Sequence, residues 1–573
     1  MKTALPLVLV GFSLMLSETG EKEIHFLKPT EIINPLLSKN VAFCGIPLGN
    51  FSSADSLAPI QIMQGLGNWQ HKVSTQSAKA QSFFNQGLSL IYAFNHEEAV
   101  RSFNEAIKLD PDCAMAYWGI AHAYGPNINL PMTEASEKLA YESIQKAKLL
   151  VEKVSAQDAA YINALALRYG GGAQKREEMD NAYIAAMKKL ADDYPGDADA
   201  QTLYADALMN TFPWQYWEKN RSFKPKALDV LKVLDNVLAK YPQHPGANHL
   251  LIHLVEGSAN PEKGLKSAAA LAYLMPRAGH IVHMPSHIYI RTGNFDKAAQ
   301  ANIKAIRVDQ EQYGKILPAG VYAMYYGHNI HFLYFTTNML GQSQSSLETA
   351  KQLAAKVPKE QLADNAFFQE LSIVPYYAMI RFGKWDEMLA QSKPADNLPY
   401  MQSIWHFGRG LSLTRKNNLA QAMQESAQLD SLSKLEVLKT TYASLDPVSN
   451  TVRIANVILK GELAIAEGRA DEGLAFLGDA VKMEENLIYN EPPTWPIPVR
   501  QFLGAALLNA KRYAEAEKIY REDLGRHPEN GWSLFGLKKA LEAQAKNIEA
   551  DAVNVRYNKA WSKADIKLMA SRF

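Results

Sequence analysis

The chain has 573 residues, 47% hydrophobic, 10% aromatic and 21% charged; that is too long for one compact core and too apolar for wholesale disorder. Sixty basic and 59 acidic residues leave a net charge of +1, and without a basic patch or an RNA-reading motif nucleic acid is not an expected partner. Cys44 and Cys113 show neither CxxC nor zinc-finger spacing, and abundant Ala and Leu with few β-branched runs point to helix.

At the N-terminus, Lys2 and the apolar stretch Ala4–Leu16 read as a signal peptide over residues 1–17, too short to span a membrane. This predicts an exported protein, periplasmic or secreted. No other segment has the length and apolarity of a transmembrane span. Residues 18–74 read as a leader segment, and VAFCG at Val41–Gly45 lacks good lipobox residues.

Residues 80–113 set the pattern for the rest. Phe83, Gly87, Ala99, Phe103, Ala106 and Pro111 stand at positions 4, 8, 20, 24, 27 and 32 of a 34-residue unit. Small residues at 8, 20 and 27 let two helices approach, large ones fill the gap, and the proline ends the second helix. The frame recurs at 497–530, with Gly504, Ala516, Tyr520 and Pro528 at positions 8, 20, 24 and 32, and clear units fall near 245–278 and 279–312. Pro195, Pro242 and Pro276 mark further position-32 breaks. Gly293, Gly341, Gly383 and Gly468 mark turns between the first helix (A) and the second (B) of a unit. Insertions interrupt the spacing near Gly170–Gly172, Pro213–Pro225, Gly314–Pro318 and Asn486–Pro498.

These landmarks resemble the tetratricopeptide-repeat family. FNHEEAVRSF, DPDCAMAYWGIA, GPNIN, HMPSHI and EPPTW are similar to stretches of an exported bacterial group within it. The resemblance implies an all-α superhelix of stacked antiparallel helix pairs over residues 75–573, closed by C-terminal capping helices. It also implies a concave groove lined by helix A positions 2, 5, 9, 12 and 13, suited to a peptide or protein partner.

Seven of the 14 histidines fall between His249 and His331, in ANHLLIHLVE, GHIVHMPSHIYIR and YGHNIHFLYF. Spacings of three, four and seven place them on one face of each helix. Counted from Pro242, His249, His253 and Glu256 take positions 5, 9 and 12. Counted from Pro276, His280, His283, His287 and Arg291 take positions 2, 5, 9 and 13; counted from Gly341, His328 and His331 take positions 2 and 5. Three helices offer fifteen groove positions, where the chain-wide frequency of 14 in 573 would place about 0.4 histidines.

His-x3-His and His-x2-His on a helix are transition-metal spacings, and neutral imidazole suits zinc or copper. Glu256 is a candidate fourth ligand, orienting partner or catalytic base, the last leaving room for metal-dependent hydrolysis. Asp206 and Glu370 flank the cluster from neighbouring helices, and His122 with Trp118 extends the groove. Pro285 should kink its helix and set the angle between His283 and His287. GPNIN reads as an asparagine-capped loop and EPPTW as a rigid connection. No GxSxG, P-loop, Rossmann or HExxH motif is present. The expectation is a solenoid with a histidine-rich metal site in its groove. Three other readings stand beside it: a non-catalytic scaffold for a peptide or protein partner, a metal-free acid–base site, and histidines that merely bond one another.

Overall fold

The computed structural model describes residues 60–170, 175–313 and 321–573. The expected signal peptide, the leader up to residue 59, Cys44, residues 171–174 and the insertion at 314–320 lie outside them. Helix follows helix from Ala78–Tyr92 to Asn547–Ala560, and the described residues hold isolated bridges but no strand. The architecture is the expected all-α solenoid of stacked antiparallel helix pairs. No described helix is long and apolar enough to cross a membrane.

The first pair shows how sequence makes the unit. Ser77 accepts a hydrogen bond from the Ala80 backbone N–H and caps Ala78–Tyr92. Its partner His96–Leu109 has Glu97 and Glu98 in the first turn and Lys108 in the last, each matched to the helix dipole. Phe103 then wedges between two glycines. A Cβ on either Gly87 or Gly119 would lie 2.5 Å from the Phe103 ring. Near the C-terminus Tyr520 sits the same way between Gly504 and Gly536, where an added Cβ would lie 2.5 and 2.1 Å from its ring. The four predicted turn glycines, Gly293, Gly341, Gly383 and Gly468, all have positive φ, from 63° to 84°.

The described end of the leader packs on the first helix of this pair and on the helix Ala198–Met209. Gln86 accepts from the Met63 N–H, Gln81 accepts from the Val73 N–H, and Trp69 Nε1 donates to Asp199.

Three successive A helices carry the histidines. Pro245–Val255 begins on a proline, and the His244 ring accepts from the Ala247 N–H as its cap. The second is split at Met284 into Gly279–His283 and Pro285–Arg291. Pro285 has no N–H to donate, and the His287 N–H bonds back three residues to Met284, tightening the turn. The third is Val321–Met339. Apolar packing divides into two large cores, and these helices lie where one gives way to the other: Ile281, Ile288 and Tyr325 belong to the first, Ile290, Ile330 and Phe332 to the second.

Candidate metal centre

All seven histidines are buried, with at most 6% of any residue exposed. The expectation was an open groove, and the structure differs because loops and turns fill it. Trp214, from the insertion after Pro213, meets His253 edge-on with ring centres 5.4 Å apart. Glu491, from EPPTW, reaches His287. Phe94, at the turn between the first two helices, lies over His249, His253 and His280, stacking on the latter two. Its φ of 54° is one that bulky side chains avoid, so surrounding contacts hold it there.

The histidines converge in two sets of three. His249, His253 and His280 bring three ring nitrogens within 4.8 Å of one another, as do His283, His287 and His328. Hydrogen bonds fix which nitrogen faces inward. His249 Nδ1 lies 2.7 Å from the Tyr92 carbonyl, which only accepts, so Nδ1 carries the proton. Asn302 donates through Nδ2 to the Ala298 carbonyl, which turns its Oδ1 towards His283 Nδ1 at 2.7 Å. His253 Nδ1 stands 3.2 Å from Glu256 Oε1. His287 Nδ1 makes ion-pair contacts of 2.7 Å with both Glu256 Oε2 and Glu491 Oε2, its N–H aligned with neither.

Four Nε2 atoms are thereby turned inward in two pairs. His249 and His253 meet at 3.1 Å, His283 and His287 at 2.8 Å. Two bare lone pairs repel at that range, so each pair requires a shared proton or a metal ion between them. His280 completes the first set with neither ring nitrogen hydrogen-bonded. A fully buried imidazole without a partner is costly, and a metal ion would satisfy it.

Electrostatics favour lone pairs on most of these rings. Burial first, and neighbouring imidazoles second, hold His249, His253, His280 and His328 well below the ordinary histidine range, and burial dominates for His283. His287 is the exception. Against burial, the Glu256 and Glu491 carboxylates push it up to about 10. Burial raises Glu256 and takes Glu491 up to about 7. Glu256, His287 and Glu491 form a third convergence of possible ligand atoms. With Oε1 bonded to His253 and Oε2 beside His287, Glu256 is arranged to orient rings rather than to take a proton from a substrate.

A family model described as a tetratricopeptide repeat matches residues 80–113, the unit whose Phe103 wedge recurs at Tyr520. Those residues are a tetratricopeptide repeat. Among solved structures, the chain is similar to a human IFIT1 dimer with m7Gppp-AAAA at 14% identity and a TM-score of 0.31, over 85% of this chain and 91% of that one. It is also similar to the Cut9–Hcn1 APC/C hetero-tetramer at 12% identity and a TM-score of 0.28, over 85% and 76%. The P58(IPK) TPR domain follows at 13% identity and a TM-score of 0.21, over 82% and 99%. Likenesses this distant carry no argument about activity.

The tetratricopeptide frame places the other predicted residues around the cluster rather than in it. His331 stacks on Tyr334 outside both sets, and burial lowers it to about 3. Arg291 donates from Nε to the Glu256 carbonyl at 3.0 Å, holding the end of that helix. Asp206 and His122 line a cavity of about 20 Å³ beside His249, room for about one water. Burial raises Asp206 to about 6, and neither His122 nitrogen has a hydrogen-bond partner. Trp118 is a core residue, tilted against His122 and edge-on to Tyr161. Glu370 lies on Ala366–Arg381, outside both sets, and burial raises it to about 8.

Sequence reasoning missed four participants. Asn302 sits on a B helix. Tyr92 contributes a carbonyl, which no side-chain pattern reports. Glu491 and Phe94 arrive from a loop and a turn. A second buried knot was also missed: Asp199 accepts from Trp69 Nε1 and pairs with His71 and His244 at 2.9 and 3.1 Å, and the Tyr92 hydroxyl donates to it as well.

Proposed function

We propose that this protein binds two transition-metal ions, zinc or copper, in its buried centre. His249, His253 and His280 would hold one, and His283, His287 and His328 the other. The observation that carries the reading is the inward facing of the paired Nε2 atoms while the Nδ1 atoms of the same rings face Tyr92, Glu256, Asn302 and Glu491. Metal-bound histidines are oriented in this way, with the outer nitrogen donating to a carbonyl or carboxylate. Three nitrogen ligands leave a fourth position for water or substrate, the arrangement of catalytic rather than structural zinc. When bound, such an ion supplies Lewis acidity or an activated water. The chain's own residues fix the ring tautomers, exclude bulk solvent and bury the site beneath Phe94 and Trp214.

The peptide-scaffold reading has less support, because a peptide on the surface could not touch histidines buried this deeply. The test is metal content of protein purified without a His-tag. About two equivalents of zinc or copper are expected. His253→Ala and His287→Ala should each release about one equivalent, and His331→Ala neither. Less than about a tenth of an equivalent, with no uptake on titration at neutral pH, would overturn the proposal.

A further inference from the structure

Beside the histidines, and built from other residues, lies a cavity of about 380 Å³, within the range that takes a small organic ligand. The two insertions that cover the cluster also form its walls. Trp217 from the first is anchored by its Nε1 donating to the Leu254 carbonyl, and meets Tyr489 from the second edge-on with ring centres 5.3 Å apart. Trp495 is 98% buried on the cavity wall, and its Nε1 has no hydrogen-bond partner. The walls thus offer aromatic faces and an unused donor.

Three arginines converge on the same space. Arg526 is paired with Glu485 at 2.8 Å. Arg291 donates to backbone carbonyls and lies over the Tyr489 ring. Arg221 has no hydrogen bond or ion pair to its guanidinium among the described residues. It stands at the tip of a tight turn with φ at 66°, where its N–H bonds to the Glu218 carbonyl and its own carbonyl accepts from Ala259. Such a backbone is unfavourable for a non-glycine residue, so the turn holds this guanidinium at a cost. Burial, then Arg291 and Arg526, bring Arg221 down to about 9. The carboxylates on the wall oppose this charge only in part. Glu485 is taken by Arg500 and Arg526, burial raises Glu484 to about 8, Glu491 faces His287, and Glu218 is exposed.

We propose that this cavity binds a small aromatic anion, a carboxylate or phosphate borne on a ring, with the anionic group at Arg221 and the ring against Trp217, Tyr489 and Trp495. An anion relieves the crowding of like charge and satisfies the unused guanidinium, and the rings provide the apolar bed. Glu491 faces both this cavity and His287, so the ligand would lie one residue away from the histidine cluster. The inference stands whether or not the cluster holds metal.

Calorimetric titration of the full chain with benzoate and with phenyl phosphate tests it, with benzyl alcohol as the uncharged control. At least one of the two anions should bind about tenfold or more tightly than benzyl alcohol. Arg221→Gly accommodates the positive φ, so the turn survives; it should weaken the anion about tenfold or more, and Arg221→Lys should recover part of the loss. Metal content, measured on the same samples, should match wild type in both variants, which separates this result from the fate of the metal reading. The proposal is overturned if neither anion binds by about 10 mM, a limit far weaker than a built site gives. It also fails if benzyl alcohol binds as well as the anions, or if Arg221→Gly binds them as wild type does.

Discussion

Glu256 is the residue on which both histidine sets lean, through His253 Nδ1 at 3.2 Å and His287 Nδ1 at 2.7 Å. Glu256→Gln keeps the shape but offers one acceptor and one donor, so one ring must turn or change tautomer. Metal affinity, measured by competition with a chromophoric chelator, should fall about 10–100-fold. Glu491→Gln should cost less, because Glu256 still faces His287. His96 gives a prediction of another kind. Burial lowers it from 6.5 to about 4, so it stays neutral in the fold while the unfolded chain takes up a proton below pH 6.5. Its contribution is therefore intact above that pH and is lost as the pH falls towards 4. Between pH 6.5 and 5.5 the loss is about 1 kcal/mol. Urea melts at these two pH values should differ less by about that amount in His96→Asn than in wild type. The six clustered histidines were legible because proline and glycine landmarks set their register independently of them. Glu491 was not, because a loop's path is not written in any local period.

Among elements, the wedge of an aromatic ring between two glycines decides how closely helices stack. Gly119 has no room for a methyl group, with Phe103 2.5 Å from the position a Cβ would take. Gly119→Ala should therefore destabilise by about 1–3 kcal/mol in a denaturant melt, through overpacking rather than lost helix propensity. Gly468 is the contrasting case: nothing lies within 4 Å of an added Cβ, but its φ is 84°. Gly468→Ala should cost about 1 kcal/mol or more from the backbone alone. Gly468 was readable as a turn landmark, since its chemistry is local, whereas the role of Gly119 shows only in the Phe103 ring packed against it. The same turn position carries Phe94, Asn417, Lys511 and Ala545 elsewhere, all with positive φ and none glycine. There a landmark search finds nothing, although Phe94 is the one whose ring covers the histidines. Pro285 was legible as a break, and the split at Met284 leaves His283 and His287 with Nε2 atoms 2.8 Å apart.

For the whole molecule, the cluster occupies the place where one apolar core ends and the next begins. Phe94, Ile281 and Tyr325 belong to the first core, while Ile290, Ile330 and Phe332 belong to the second. In a repeat protein each unit is stabilised mainly by its neighbours, so a weak interface divides the array into separately melting parts. A buried polar band of imidazoles without metal is such an interface, since each Nε2 pair is left with at most one shared proton and His280 with no hydrogen-bond partner for its ring. His280, His283 and His287 come from the split helix, His249 and His253 from the helix before it, and His328 from the one after. Two ions would thus tie three successive A helices across the junction, and binding to the folded state alone would add stability by mass action. Calorimetric scans of chelator-treated protein should show two transitions. Zinc at about a hundredfold excess over its dissociation constant should add about 2.7 kcal/mol per site and merge them into one. His253→Ala combined with His287→Ala should leave two transitions at any zinc concentration. A single transition in the chelator-treated protein, unmoved by zinc, would show that the two cores are already coupled by apolar packing and that the histidines tie nothing together.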